Sequence, residues 1–168
     1  MENKEISELI QMFKPERCVF VVSADKNNKA SGMIAAWYTR CSSNPPLIAV
    51  SLSKKGHTQK LIHQSKEFVV AVPNKGIEKE LLFFGSKHGH EVNKFKETGL
   101  ETENAKMIKV PIIKEATLNF ECKLHKEVDA GDHIMFIGEV VAAHHNKEKK
   151  VLLVMGKDKE GNRTYEEF

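Results

Sequence analysis

The chain has 168 residues, of which 40% are apolar and 29% charged, a balance that fits one globular domain over residues 1–168 and excludes wholesale disorder or a fibrous repeat. Its formal net charge is +3, with 23 acidic residues interspersed among 26 basic ones, too small an excess to point to nucleic acid although it suits an anionic small ligand. No apolar run reaches the roughly 20 residues that a membrane-spanning helix needs, and the chain opens on Glu2, Asn3, Lys4 and Glu5, so a cytoplasmic protein with no membrane partner is expected.

Ile6, Leu9, Ile10 and Phe13 recur at helical spacing before Pro15, which predicts a short amphipathic helix over one end of a barrel. Cys18 to Ser23 is rich in β-formers, Asp25 to Lys29 is a polar turn and Ala30 to Tyr38 is apolar again, together a hairpin. After Pro45 and Pro46 comes a third strand, Leu47 to Leu52. One or two helical turns follow over His57 to Ser65, with Leu61 and Ile62 inward, then a strand from Glu67 to Val72 that Pro73 ends.

Ile77 to Phe84 and Glu91 to Lys96 read as helices separated by a Gly85 to His90 loop. Beyond Pro111 the β pattern returns at Ala116 to His125, His133 to His144 and Val151 to Met155, with turns at Asp129 to Asp132 and Asn146 to Lys150. Strands that do not alternate with long helices predict a mainly β protein, an antiparallel barrel with short helical insertions, in preference to a parallel doubly wound sheet.

The chain carries no GxGxxG, GxxxxGK[ST], GxSxG or HExxH motif. His88 with His90, and His144 with His145, lack the neighbouring cysteines or carboxylates that metal binding needs, so no metal is expected. Cys18, Cys41 and Cys122 are odd in number and far apart, which suits buried thiols in a reducing compartment better than disulfides or a zinc site.

Two stretches carry candidate chemistry. From Met33 to Pro46, small Ala35 and Ala36 would let a planar ligand approach a strand, with Trp37 as a wall and Thr39 as a polar contact; an ordinary barrel strand is the competing reading. Ser51-Leu52-Ser53-Lys54-Lys55-Gly56-His57-Thr58 leaves a strand and opens a helix, placing hydroxyls, lysines and free helix amides where a phosphate could bind. The alternative there is a turn with Thr58 as a plain N-cap and solvated lysines.

In order, Met33, Trp37, Thr39, Ser42 and Pro45-Pro46, then Ser51 and Ser53, His57-Thr58, Glu67-Phe68-Val69-Val70, Asn93-Lys94-Phe95, Pro111-Ile112, Glu115-Ala116, Glu121-Cys122-Lys123 and Gly131-Asp132-His133 resemble the flavin reductase-like FMN-binding split-barrel family. The resemblance implies a split antiparallel barrel of Greek-key type and a homodimer holding FMN between barrel and partner subunit. It places the ring near Trp37, Tyr38, Thr39, Arg40, Cys41 and Ser42, and the phosphate near Ser51, Leu52, Ser53, Lys54, His57 and Thr58. His133 would stand beside the flavin or the nicotinamide, with a structural histidine as the other reading. Ser31, Ile34 and Ala36 depart from the family pattern around the ring, and Asn93 replaces a more usual Asp without disturbing the local turn.

The activity implied is hydride transfer from NADH or NADPH to FMN and on to an acceptor, with the cofactors carrying the reaction. A flavoredoxin-type electron-transfer protein serving a redox partner, with little NAD(P)H activity, is the alternative, and a flavin-storage module a third.

Overall fold

Val19, Val21 and their alternates Phe20 and Val22 are all apolar, so the strand they form must be covered on both faces. A computed structural model describes residues 17–168; the helix expected over residues 6–13 lies outside them. In β1 (Val19–Ala24), Val19 and Val21 face one apolar cluster, while Phe20, Val22 and Ala24 face a second. β5 (Glu67–Val72) repeats this, with Phe68 and Val70 on the first side and Val69 and Ala71 on the other.

The remaining elements are β2 (Ala30–Ala35), β3 (Tyr38–Ser43), β4 (Pro46–Ser53), α1 (His57–Ser65), α2 (Glu78–Ser86), α3 (Lys94–Thr98), β6 (Thr102–Glu103), β7 (Ile112–Ile113), β8 (Leu118–Ala130), β9 (His133–His145), β10 (Leu152–Lys157) and β11 (Arg163–Glu167). Seven strands form one sheet in the order β2-β1-β5-β8-β9-β4-β3, with every neighbouring pair antiparallel. The fold is therefore mainly antiparallel β with few helices, as the sequence predicts.

The two edge strands, β2 and β3, are consecutive in the chain and separated only by Ala36 and Trp37. So short a connection forces the sheet to curl until its edges meet at this corner. The Trp37 carbonyl accepts the Ser51 amide at 2.9 Å, which fixes the corner to β4. Inside the curl lie Val21, Val50, Leu52, Phe68 and Phe136; outside, Phe20 belongs to the cluster formed with Leu81 and Phe84 of α2 and Ile113 of the 100–116 segment.

That outer segment is held by Glu121, which is fully buried and accepts the amides of Lys106 and Met107 at 2.7 Å each, with His144 Nε2 at 2.6 Å. β8 and β9 change register between Glu121 and Cys122 and between Leu124 and Lys126, bulges that bend this long ribbon around the core.

Several expected boundaries shift. The single strand expected over Ala30 to Tyr38 breaks at Ala36-Trp37 because the chain crosses there from one sheet edge to the other. The helix expected at Glu91 is α3, which starts at Lys94 after the Asn93 side chain accepts the Lys96 amide at 3.2 Å. β6, β7 and β11 were not anticipated. Cys122 is buried, but Cys41 is exposed on edge strand β3, against the expectation of buried thiols.

Gly138 in β9 lets the interior close: a Cβ there would overlap the Phe68 ring and stand 2.8 Å from Cys122 Cβ. Overpacking of this kind costs about 1–3 kcal/mol, so Gly138→Ala is expected to lower the urea midpoint with an unchanged m-value. A midpoint equal to the parent's would show that Phe68 yields freely.

Candidate functional site

After Ser53 the chain must turn from β4 into α1, and that turn is built from backbone bonds: Gly56 N–H to Ser53 O at 2.9 Å and Lys54 N–H to Asp132 O at 3.0 Å. Lys54 Nζ reaches Asp129 Oδ2 at 2.6 Å, tying the turn to the β8–β9 hairpin. The N-cap of α1 is Gly56, in extended conformation and with no side-chain cap, so Thr58 is a first-turn residue and not the cap. Orphan amides and the helix dipole thus leave partial positive charge at this end.

A cavity of about 200 Å³ lies at this helix start, walled by Met33, Ser53, Gly56 to Thr58, the 84–89 segment and Lys94. Thr58 is only 2% exposed. Lys94, 3% exposed, donates from Nζ to Phe84 O at 2.7 Å and Gly32 O at 3.0 Å and stands 5.5 Å from the Phe84 ring centre. Burial pushes its pKa down to about 8, which still leaves the ammonium charged at neutral pH. Two of its three protons are used, leaving one for a ligand.

The other end of the site is the sheet corner. Trp37 is 53% exposed, and its ring lies 4.7 Å from that of His133, inclined by 40°. His133 Nδ1 is 2.6 Å from Asp132 Oδ1, a bond that holds the Asp132 carboxyl below its ordinary range and leaves Nε2 for other partners. The β4–β9 register sets Ser53 opposite His133 and Ser51 opposite Met135. Ser53 therefore joins the Trp37–His133 corner to the cavity at α1.

Trp37 and His133 meet at the sheet corner, Ser51 and Ser53 are tied to it by backbone and register, Ser53, His57 and Thr58 wall the cavity at α1, and Lys54 turns to Asp129. The structure separates the β3 residues: Tyr38, Arg40 and Ser42 line a different, mainly apolar cavity of about 440 Å³ with Val70 and Phe120, because alternate strand residues face opposite ways. Thr39 and Cys41 are exposed on the other face, Thr39 donating to the Arg40 carbonyl at 3.1 Å. Leu52 is fully buried in the core, so only its backbone could touch a ligand.

Lys94 and the 84–89 segment were not read as site residues from the sequence; the Asn93-Lys94-Phe95 motif was the one available signal. The His88 and His90 rings lie 5.6 Å apart, and His90 is 6.4 Å from His57. Among the described residues no group of three or more metal-ligating side chains converges.

A curled antiparallel sheet thus sets an uncapped helix start and a buried lysine on the wall of one cavity, and hydrogen-bond donors predominate among those groups. Residues 12–161 match the model of the flavin reductase like domain, and the chain belongs to that family. It is 35% identical over 141 residues to an uncharacterised protein of Archaeoglobus fulgidus, covering 84% of this chain and 78% of that one. It is 31% identical to a ferric-chelate reductase (NAD(P)H) of the same organism, covering 80% and 79% of the two chains. The FMN-binding protein of Thermus thermophilus, solved with p-hydroxybenzaldehyde bound, superposes with a TM-score of 0.81 at 26% identity, covering 94% of this chain and 88% of that one.

His57 is held below the ordinary histidine pKa, first by burial and then by the positive fields of His90, Lys60, Lys29 and Lys94. Lys29→Ala is expected to raise the midpoint of the His57 ring resonances in an NMR titration of the ligand-free protein. A midpoint that starts at or above the ordinary value would contradict this electrostatic picture.

Proposed function

We propose that this protein binds FMN and works as an NAD(P)H-dependent flavin oxidoreductase that passes electrons from the flavin to an acceptor. The observation that carries this reading is the helix start of α1, which lacks a side-chain cap and opens on a cavity that also holds a buried, charged Lys94. Those groups fit a phosphate: backbone amides, the Ser53 and Thr58 hydroxyls and one ammonium proton are all donors. Trp37 and His133, reached through Ser53, offer a ring-sized wall at the other end.

Bound there, FMN supplies the hydride and electron chemistry. The chain's own task is to hold the phosphate, to set the ring against Trp37, and to present His133 Nε2 in an orientation fixed by Asp132. The names of two relatives, an FMN-binding protein and an NAD(P)H-linked ferric-chelate reductase, support the cofactor and the donor. A homodimer belongs to this reading, since a partner copy would cover the half-exposed Trp37. A cytoplasmic setting fits the exposed free thiol of Cys41.

Purified protein is expected to be yellow with FMN, to sediment as a dimer, and to bleach anaerobically with NADH or NADPH. His133→Ala should slow the bleaching more than it weakens FMN binding. Protein that cannot be loaded with FMN would overturn the cofactor assignment, and reduction by dithionite but by neither nicotinamide would point to the electron-transfer alternative.

Thr58→Ala is expected to weaken FMN by roughly one to two orders of magnitude, as for the loss of a hydrogen bond to a charged group, while riboflavin, which lacks the phosphate, binds as before. Fluorescence quenching gives both affinities, and an unchanged FMN to riboflavin ratio would remove the Thr58 hydroxyl from the phosphate site.

A further inference from the structure

Tyr38, Arg40 and Ser42 alternate along β3, so their side chains share the face turned to the second cavity, of about 440 Å³. Its volume falls in the range of about 300–1,000 Å³ usual for small-molecule sites, which barrels commonly hold at their mouths. It shares no lining residue with the cavity at α1. The deep wall is apolar: Val70 and Val72 of β5 are buried in the barrel interior, while Leu118 and Phe120 of β8 and Val140 of β9 are only partly covered. The outer wall carries the exposed guanidinium groups of Arg17 and Arg40. We infer that this barrel mouth binds an amphipathic carboxylate, with an aliphatic chain against the interior wall and the carboxylate at the two arginines.

Both halves of the ligand follow from the lining. Covering Leu118, Phe120 and Val140 removes apolar surface from water, which is the driving force for the chain. No Asp or Glu lines the cavity, and among the described residues neither Arg17 nor Arg40 has a carboxylate at ion-pair distance. A guanidinium meets a carboxylate through two parallel hydrogen bonds, so the pair is suited to an acidic head. Burial raises the pKa of the Tyr38 hydroxyl, with the Arg17 charge opposing; the hydroxyl keeps its proton at neutral pH and adds a donor, as does Ser42. A wholly apolar ligand would leave the guanidinium groups unmatched, and a small polar anion would leave the apolar wall uncovered. An acid on an aliphatic chain answers both.

Octanoate, decanoate and dodecanoate would be titrated calorimetrically into the full chain below their micellar concentrations, with decanol as the uncharged match, and with and without added FMN. Saturable binding of one acid per chain is expected, tightening about fourfold for each added methylene until the cavity is full. The double variant Arg17→Gln, Arg40→Gln alters two exposed side chains, so a melting curve like the parent's is expected. It should weaken decanoate about tenfold, the scale of a lost charge-assisted hydrogen bond, and leave decanol within about twofold. No saturable binding by the full chain, as would follow if another stretch of the chain filled the cavity, would overturn the inference. An affinity that ignores chain length, or an equal loss for decanol and decanoate in the variant, would do the same. Displacement of decanoate by FMN would put the acid in the other cavity and overturn it too.

Discussion

The structure depends on a very short piece of chain. Ala36 and Trp37 are all that separates β2 from β3, yet those strands are the opposite edges of a seven-stranded sheet. An extended residue spans at most about 3.6 Å, so the edges must meet here, and a sheet that would otherwise lie open is drawn into a curl. The crowded interior follows: Phe68 and Cys122 approach Gly138 so closely that a side chain has no place there. β1 and β5, neighbours in the sheet, become the strands covered on both faces.

The site is a consequence of the same closure. Trp37 lies on the seam with its ring half in solvent and half against His133, and β4, which runs from the seam, delivers Ser51 and Ser53 along one line before α1 begins. Backbone amides at the helix start, a lysine held by two carbonyls, and a histidine oriented by its neighbouring aspartate are therefore assembled from segments distant in sequence. Glu121 belongs to the same design at one remove, because it anchors the outer segment through two amides and a histidine.

Strands and helices that own their apolar residues were legible in the sequence. β1, β4, β5 and α1 stand out because apolar runs are bounded by Asp25 to Lys29, the Pro45-Pro46 pair and Pro73. β11 was not legible, since Arg163, Glu166 and Glu167 look like a solvated tail and the strand exists through backbone pairing with β10. The break at Ala36-Trp37 was hidden for a different reason: both residues suit a strand, and only closure of the whole sheet interrupts it. His57 and Thr58, which wall the cavity at the start of α1, stood out through the general behaviour of helix starts. Lys94 was missed because a lysine in a short polar helix is ordinarily solvated, and its burial arises from the carbonyls of Gly32 and Phe84, which no local pattern announces.

Lys94 also sets stability against use. Its ammonium gives up a proton more readily than a free lysine's because it is buried, so the folded protein carries the charge at an energetic cost that an apolar side chain of similar length would not have. Its hydrogen bonds to the Gly32 and Phe84 carbonyls offset part of that cost, so methionine or leucine there would leave two acceptors without this donor and would also remove a cation from the cavity wall. A change at position 94 therefore acts on folding and on the cavity at once, and the two effects have to be read on the same variant.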